Sequence, residues 1–519
     1  MKYILLCTLF FSLQIGISQN TFNHRMHFGF SGAVLTSIEV TDSCLYATGI
    51  ARDTVSPFSI GSLFVKFDLD GNVLFSRVLT KPDHSYLMWR NTLTPTSDGN
   101  FMLTGAILDT TTNSLCLIKY TSNGDTIFTQ KYANPFFPQE SFIVNNSLSI
   151  TEDNELLILN NINTPNNHSD IYLLKTDSSG NLIEDYIFGQ NQSEFGNSML
   201  LSTNEDIIIG GMRTNLNYVS QNHIARTYLF GIDSLGNTLW EYLTPEDELH
   251  NFASDILPTD DGGIIIASGK GVEIPVNATS SILLWHSYIF KIDSNHSFEW
   301  GVNIRDTFPS SSNYLNKLIG TSDQSGYIAV GQIHQPNHAE NGRDINGIIS
   351  KISPQGDSLW TRYYHHVVSP QDDHLLYDVE ETPDGGFVMV GQATDFQSST
   401  TEPPQQRAWI VKVDEHGCLV PGCHLWTSVS EPLATPELHL SISPNPASDY
   451  LNVYFRQNNM KGNAVFDLMD ATGRSVLQFE SSHPDITHIV DVGHLAQGTY
   501  FLRCRVGDEV VSKAVVVAR

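Results

Sequence analysis

Positive charge is scarce in this chain. Lysine and arginine number 28 against 56 aspartates and glutamates, and the formal net charge over 519 residues is -28. A nucleic-acid binder needs a basic footprint, so that class is disfavoured; an acidic surface keeps an exported protein soluble without saying anything of its fold. Long apolar runs are missing beyond the first residues, so no later stretch is suited to crossing a bilayer. Helical periodicity is absent from the central region, which argues against a helical bundle or an α/β layer. Cysteine is sparse, with 6 in the chain. Catalytic signatures are lacking too: there is no Gly-x-Ser-x-Gly elbow, no phosphate loop and no His-Glu-x-x-His. Charged residues make up 16% and hydrophobic ones 40%, the balance of a folded chain and not of a disordered one.

What is present begins at the N-terminus. "MKYILLCTLFFSLQIGISQN" carries one lysine, an apolar run from Tyr3 to Leu13, and "GIS" before Gln19. This predicts a secretory signal peptide over 1–18, cut after Ser18; the run is too short for a comfortable membrane anchor. Export permits disulfides. In "HGCLVPGC", Pro421 and Gly422 supply a turn that brings Cys418 and Cys423 together, and a disulfide is expected there. A zinc site would need two further ligands, for which His416 and His424 are the neighbours; an exported chain favours the disulfide. No cofactor or metal is implied elsewhere. "DLDGN" (68–72) opens like a calcium loop but lacks the distal Glu. "QDDH" (371–374), His365, His366, His334 and His338 have no ligand spacing and read as solvated loop residues.

Self-similarity is the main signal. Seven segments begin with a threonine, at Thr41, Thr96, Thr151, Thr203, Thr259, Thr321 and Thr382, spaced by 55, 55, 52, 56, 62 and 61 residues. Acidic and glycine residues follow, then a short apolar strand, a loop of variable length and a second apolar strand. That strand ends near Lys66, Lys119, Lys175, Gly231, Lys291, Lys351 or Lys412, ahead of a glycine turn and an aromatic strand. "GIIIAS" and "GFVMVG" read as strands buried on both faces, and "DGG" and "SLGN" as hairpin turns that need positive φ. Four strands per unit, repeated seven times, predict an all-β seven-bladed β-propeller over 19–423. The aromatics Phe75, Phe128, Trp240, Trp300 and Trp360 are expected to pack between sheets. The last unit lacks its own aromatic strand, and "HRMHFGF" (24–30) is the spare strand that completes it and closes the ring.

These features, over roughly residues 25–420, resemble the bacterial delta-sixty class of propeller repeat, a resemblance that implies a fold and little about activity. After Cys423 the composition changes. Residues 424–437 read as a linker, and 438–519 as a small β-sandwich. Pro444, Asn445 and Pro446 with Ser448 and Asp449, then Asp470-Ala471-Thr472-Gly473, then Leu495, Gly498 and Tyr500 before a final strand, resemble the type IX secretion system type A sorting domain. That resemblance implies the type IX secretion machinery as a partner, removal of the module, and a secreted, extracellular or outer-membrane-surface location, with no transmembrane segment after signal removal.

Strand parity places the short turns on one face of the disc and the long connections on the other: 81–93, 133–145, 244–254 and 305–316 between blades, 212–226, 269–284, 332–345 and 393–407 within them. Any glycan or protein ligand is expected on the long-loop face, where Trp89, Phe136, Phe137, Phe308 and Tyr314 lie. With no catalytic residue assigned, the leading expectation is a non-enzymatic binding or scaffold module. The alternative is an extracellular enzyme, polysaccharide-active or quinoprotein-like, with its site on the long-loop face; acids converging there or in the channel would favour it, with Asp372 and Asp373 as the nearest examples.

Overall fold

The computed structural model describes residues 19–518 except 55–58, 89, 91, 110–112, 137–142, 166–167, 190–191, 203–205, 216–223, 246–250, 278–279, 305–311, 337–342, 367–371, 397–404, 426–437, 458–462, 483–486 and 508. The signal peptide, Thr203 and most of the linker lie outside these. The chain divides into two compact units, Met1–Trp426 and Thr427–Arg519. Apart from one 3-10 turn, Cys423–Leu425, every regular element among the described residues is a strand.

In the first unit the strands group into antiparallel blades of four, numbered 1 to 7 in chain order; a single parallel pair, Ile345 with Asp373, joins the last two into one eight-stranded sheet. Blade 1 is Gly32–Val40, Leu45–Arg52, Ile60–Phe67 and Val73–Leu79, written from the inner to the outer strand. Blades 2 to 6 occupy 84–133, 143–188, 193–243, 251–303 and 313–364 in the same order, the inner strand of blade 2 being split in two. Blade 7 has three strands over 373–413 and takes its fourth from the N-terminus: Phe22–Met26 pairs with Gln405–Val413, Phe22 opposite Lys412 and Met26 opposite Ala408. The closing strand begins two residues earlier than the sequence suggests. His27 to Ser31 turn instead, with Phe28 and Gly29 at φ of 51° and 82°. Each inner strand touches that of the next blade, and blade 7 touches blade 1, so the sheets form a closed ring.

The core is distributed among the gaps between blades. Each gap holds its own cluster of fully buried side chains; Phe64, Phe101, Ile118 and Tyr120 fill the gap between blades 1 and 2, and Val388, Ile410, Leu35 and Phe67 that between blades 7 and 1. Sheets packed face to face bury both faces of their middle strands, which is why those strands read as continuous apolar runs.

The repeated turn and aromatic form a lock across every gap. Asp68, Thr121, Asp177, Asp233, Asp293, Ser353 or Asp414 opens the turn before each outer strand, its side-chain oxygen accepting the N–H four residues on. The residue before that donor has positive φ and is glycine in six blades. The aromatic of the preceding blade sits on it: Phe22 on Gly71, Phe75 on Gly124, Phe128 on Gly180, Tyr186 on Gly236, Trp300 on Gly356 and Trp360 on Gly417. Blade 5 has His296 there, at φ 59°, and its ring stacks on Trp240 with centroids 3.7 Å apart. The five expected aromatics all take part. Phe22 and Tyr186 were not foreseen, the latter because Glu184 occupies the register of the other aromatics in blade 3.

Other details differ from expectation. The described residues of 269–284 are strand, not loop: Ile264–Asn277 and Ser280–Ile292 pair along their length. Strands likewise extend into 332–345, reaching Pro336 and restarting at Arg343.

In the second unit, the sheet of Leu438–Ser443, Tyr450–Gln457 and Thr487–Asp491 and the sheet of Ser475–Ser481, Ala464–Asp470, Gly498–Val506 and Glu509–Val517 enclose one core that includes Leu451, Phe455, Phe466, Leu502 and Val515. This is a β-sandwich.

The lock predicts unequal costs for equivalent substitutions. A Cβ at Gly99, φ 75°, meets nothing within 4 Å, whereas at Gly356, φ 90°, it would stand 2.5 Å from the Trp300 ring. Gly99→Ala is expected to cost about 1 kcal/mol from backbone strain alone, and Gly356→Ala about 2 to 4 kcal/mol. Denaturant unfolding of the two variants measures the difference; equal costs would contradict the lock.

Candidate functional site

Inner strands carry the groups that face the ring axis. In blades 1, 4, 5, 6 and 7 the inner strand bulges at an equivalent point, where its pairing register shifts, and the residue after the bulge is Ser37, Ser198, Asp255, Lys317 or Asp378. A bulge re-aims the side chain that follows it. Here it turns these residues into a central cavity of about 350 Å3, shared with Glu39, Glu380, Thr94, Ser147 and Ser149.

Most of these groups join blade to blade. Asp378 accepts hydrogen bonds from Ser37 Oγ at 2.9 Å and Ile38 N at 2.9 Å, both in blade 1. Ser37 Oγ in turn accepts Leu93 N of blade 2. Asp255 accepts Ser198 Oγ of blade 4 at 2.6 Å and Leu318 N of blade 6 at 2.9 Å. Asp255 and Asp378 are each only 3% exposed. Lys317 breaks the series, since an ammonium only donates; its Nζ lies 3.9 Å from Asp255 Oδ2. Burial works against the Lys317 charge, yet Asp255, Asp378, Glu380 and Glu39 together hold its pKa above the ordinary lysine value.

The remaining carboxyls titrate near neutrality. Burial, then repulsion from Glu380 and Asp378, pushes Glu39 up to about 8 against the pull of Lys317. Burial and Asp378 push Glu380 up to about 7. Asp378 is also raised by burial, an effect opposed by Lys317 and by its donors. A second cation, Arg90, hydrogen-bonds Asn316 Oδ1, and Asn316 ties on to Leu376 O of blade 7 at 2.6 Å. Burial lowers the Arg90 pKa, with Asp255 and Tyr377 acting the other way. Sequence reasoning missed this cluster. Its one signal was charge on strands that are otherwise apolar.

The residues singled out from the sequence fall elsewhere. Asp372 and His374 are buried between blades 6 and 7, not solvated. The His374 ring packs edge-on against Trp409 at 5.3 Å, its Nδ1 is 3.2 Å from Ile345 O, and burial lowers its pKa to about 4. Asp373, half-buried beside Asp372, is raised by burial. His334 packs edge-on against Tyr314, while His338 and Gln371 lie outside the described residues. Asp68 of "DLDGN" caps its own turn. Of the long-loop aromatics, Phe136 is exposed and Tyr314 half-buried; Trp89, Phe137 and Phe308 lie outside the described residues.

Cys418 and Cys423 are joined by a disulfide with Cα atoms 5.6 Å apart. Asp414, Cys418 and His424 come together there. Because Cys418 is oxidised it offers no thiolate, and Asp414 Oδ1 accepts Cys418 N at 2.7 Å. The sorting-type residues are structural in the sandwich: Asn445 clamps the last strand through Ala514 O and Val516 N, Ala447 binds Val516 O, Gly473 turns at φ 82° after Asp470, and Leu495 and Tyr500 enter the core. Asp449 O accepts Val492 N, and Gly498 opens the strand Gly498–Val506.

Residues 441–518 match the family described as secretion system C-terminal sorting domain, so the second unit is a sorting domain and directs secretion to the cell surface or extracellular space. No curated protein matches the sequence. A protein of unknown function from Dyadobacter fermentans DSM 18053 is 10% identical, with 64% of this chain and 99% of that one covered at TM-score 0.42. An ulvan lyase of polysaccharide lyase family PL25, solved bound to -[GlcA(1-4)Rha3S]-, is 9% identical, with 76% and 97% covered at TM-score 0.47. A Synechocystis apocarotenoid oxygenase mutant is 14% identical, with 76% and 94% covered at TM-score 0.39. At that level of similarity none of the three assigns a ligand or a reaction to this chain.

The channel carboxyls carry a pH prediction. A carboxyl raised on folding binds its proton more tightly in the native state, so its contribution to stability falls as pH rises from 4.5 to about 8 for Glu39 and to about 7 for Glu380. Buried histidines act oppositely, but only below their unfolded value of 6.5. Between pH 6.5 and 8 the propeller is therefore expected to lose about 2 kcal/mol, and Glu39→Gln to remove most of that loss. Unfolding titrations at the two pH values are the check; a wild type indifferent to pH in this window would contradict the placement of Glu39.

Proposed function

We propose that the propeller is an extracellular binding or scaffold module, exported through a signal peptide over 1–18 and then the type IX secretion system through a type A sorting domain. The repeat grammar supports placing its blades with the delta-sixty class. One observation carries the non-enzymatic reading. Two of the central carboxylates are committed to structure: Asp378 ties blade 7 to blade 1, Asp255 ties blade 5 to blades 4 and 6, and Lys317 balances them. A centre used as an axle leaves the faces of a rigid ring for recognition, and rigid scaffolds bearing variable surfaces are suited to that task.

A second reading has its own support. Glu39 and Glu380 are not used in the blade-to-blade bonds, and both titrate near neutrality in a cavity beside a cation, the setting in which enzymes place acids and bases. The two readings separate on one test. The exported protein is incubated with polysaccharides and screened for both retention and turnover. Retention without turnover is the expected result. Turnover abolished by Glu39→Gln or Glu380→Gln, in variants that still fold, would replace the binding reading with the enzymatic one.

Processing supplies a further expected outcome. Mass spectrometry of the medium and cell surface should find a mature form that begins at Gln19 and lacks the unit from about Leu438 onward. An exported protein intact to Arg519 would contradict removal of the sorting domain.

A further inference from the structure

The repeats provide an internal standard, and one place departs from it twice. In the outer strands, the residue just before the one opposite the third-strand lysine (glycine in blade 4) is Leu74, Ile127, Ile183, Leu239 and Leu359, each about half exposed. Blade 5 has Glu299 there, a charge, and blade 7 has Thr21. The turns that follow the inner strands close from Thr96, Thr151, Ser202, Thr259 and Thr382 to the residue four on; Thr41 of blade 1 closes to Cys44, three on, and Thr321 of blade 6 has the longest turn, closing to Gly326, five on. In this turn Gln324 stands at φ 57°, at the position held by Gly99, Gly262 and Gly385 in other blades and by Asn154, φ 61°, in blade 3. Glutamine in the left-handed region is strained, and strain of this kind is retained where a site requires it.

Both departures line one cavity, of about 600 Å3, which opens between blades 5 and 6 on the short-turn face. Its other walls include Lys291, Trp300, Tyr327 and Gln355. Lys291 is nearly buried, and its Nζ binds both Asp261 and Glu299, the latter at 2.8 Å. In blades 2, 3 and 7 the corresponding lysine has one carboxylate partner among the described contacts, Asp98, Glu155 or Asp384. The extra partner fixes the Glu299 carboxylate at the rim.

We propose that this cavity binds a neutral oligosaccharide. The inference rests on the binding-module reading and assigns it a ligand class and a place, opposite to the long-loop face expected from the sequence. Sugar rings present apolar C–H patches and hydroxyls that both donate and accept. The cavity places Trp300 and Tyr327 beside the first, and offers to the second a fixed carboxylate and two amides, each a donor and an acceptor. Charge selects within the class. Asp260, Asp261 and Glu299 outnumber Lys291 at the mouth, which repels uronates and sulfated sugars.

The test returns the cavity to the consensus of the chain's own repeats. Glu299→Leu and Gln324→Gly install residues that other blades already carry, so folding is preserved. Calorimetric titration of the exported protein uses cellohexaose, laminarihexaose and mannohexaose, with polygalacturonate as the acidic comparison. The expected result is binding of at least one neutral probe, weakened at least tenfold by either variant, and none of polygalacturonate. A neutral probe bound equally well by both variants overturns the cavity assignment and leaves the binding-module reading standing. Failure of all three neutral probes, or binding of polygalacturonate alone, overturns the assignment as well. Cleavage of a probe overturns the underlying reading.

Discussion

An aromatic ring laid on a turn of positive φ is the contact on which the propeller depends. It occurs at all seven gaps, with glycine in six blades and His296 in the seventh. Each blade has too little surface to form a core alone, so stability resides in the gaps, and the lock sets the depth at which neighbouring sheets meet. A side chain at the turn would stand where the ring must lie. The constraint therefore couples two requirements, backbone conformation and close approach, at one residue, and glycine answers both. Blade 5 shows the alternative: an imidazole stacked on Trp240 fills the same space with another flat group.

The ring also has to close. Phe22 supplies the lock for blade 7 from the far end of the chain, and the rest of its strand is tied down by side chains: Trp409 Nε1 to Asn23 Oδ1 at 2.7 Å, Gln19 Nε2 to Asp384 O at 2.6 Å, Arg25 to Ala393 O and Gln405 O. At the axis the belt of serines and aspartates repeats the logic with hydrogen bonds. Each belt acceptor reaches into the next blade, and Lys317 supplies the charge that lets Asp255 and Asp378 remain there. The outer locks and the inner belt together make a rigid disc whose surfaces can vary at little cost to the fold.

The fold was legible in the sequence because its determinants are local. Turn glycines, the Asp, Ser or Thr that caps each turn and the aromatic nearby lie within a dozen residues of one another and recur from unit to unit. The N-terminal strand was legible from an arithmetic deficit in the last unit. The centre was not. Glu39 and Glu380 stand at opposite ends of the propeller sequence, Glu39 as the single charge of its strand and Glu380 as one of four acids in its own, and only ring closure makes them neighbours. Asp372 and His374 misled for the converse reason: polar residues in a connection look solvated, but here they sit at the start of an inner strand and are buried, His374 against Trp409. The groove between blades 5 and 6 was visible in principle, as Glu299 and the longer turn after Thr321, but a departure from a repeat has meaning only once the repeat's geometry is known.

The account's central claim is that closure through residues 22–26 and the seven locks hold one cooperative ring. Amide hydrogen exchange on the chain with residues 19–30 removed tests it most directly. The predicted result is loss of protection first in Gln405–Val413 and at the turn 68–72, on either side of the opened gap, with blades 3 to 5 retaining theirs longest. Unchanged exchange in Gln405–Val413 and at 68–72, or an equal rise in all seven blades, would contradict it.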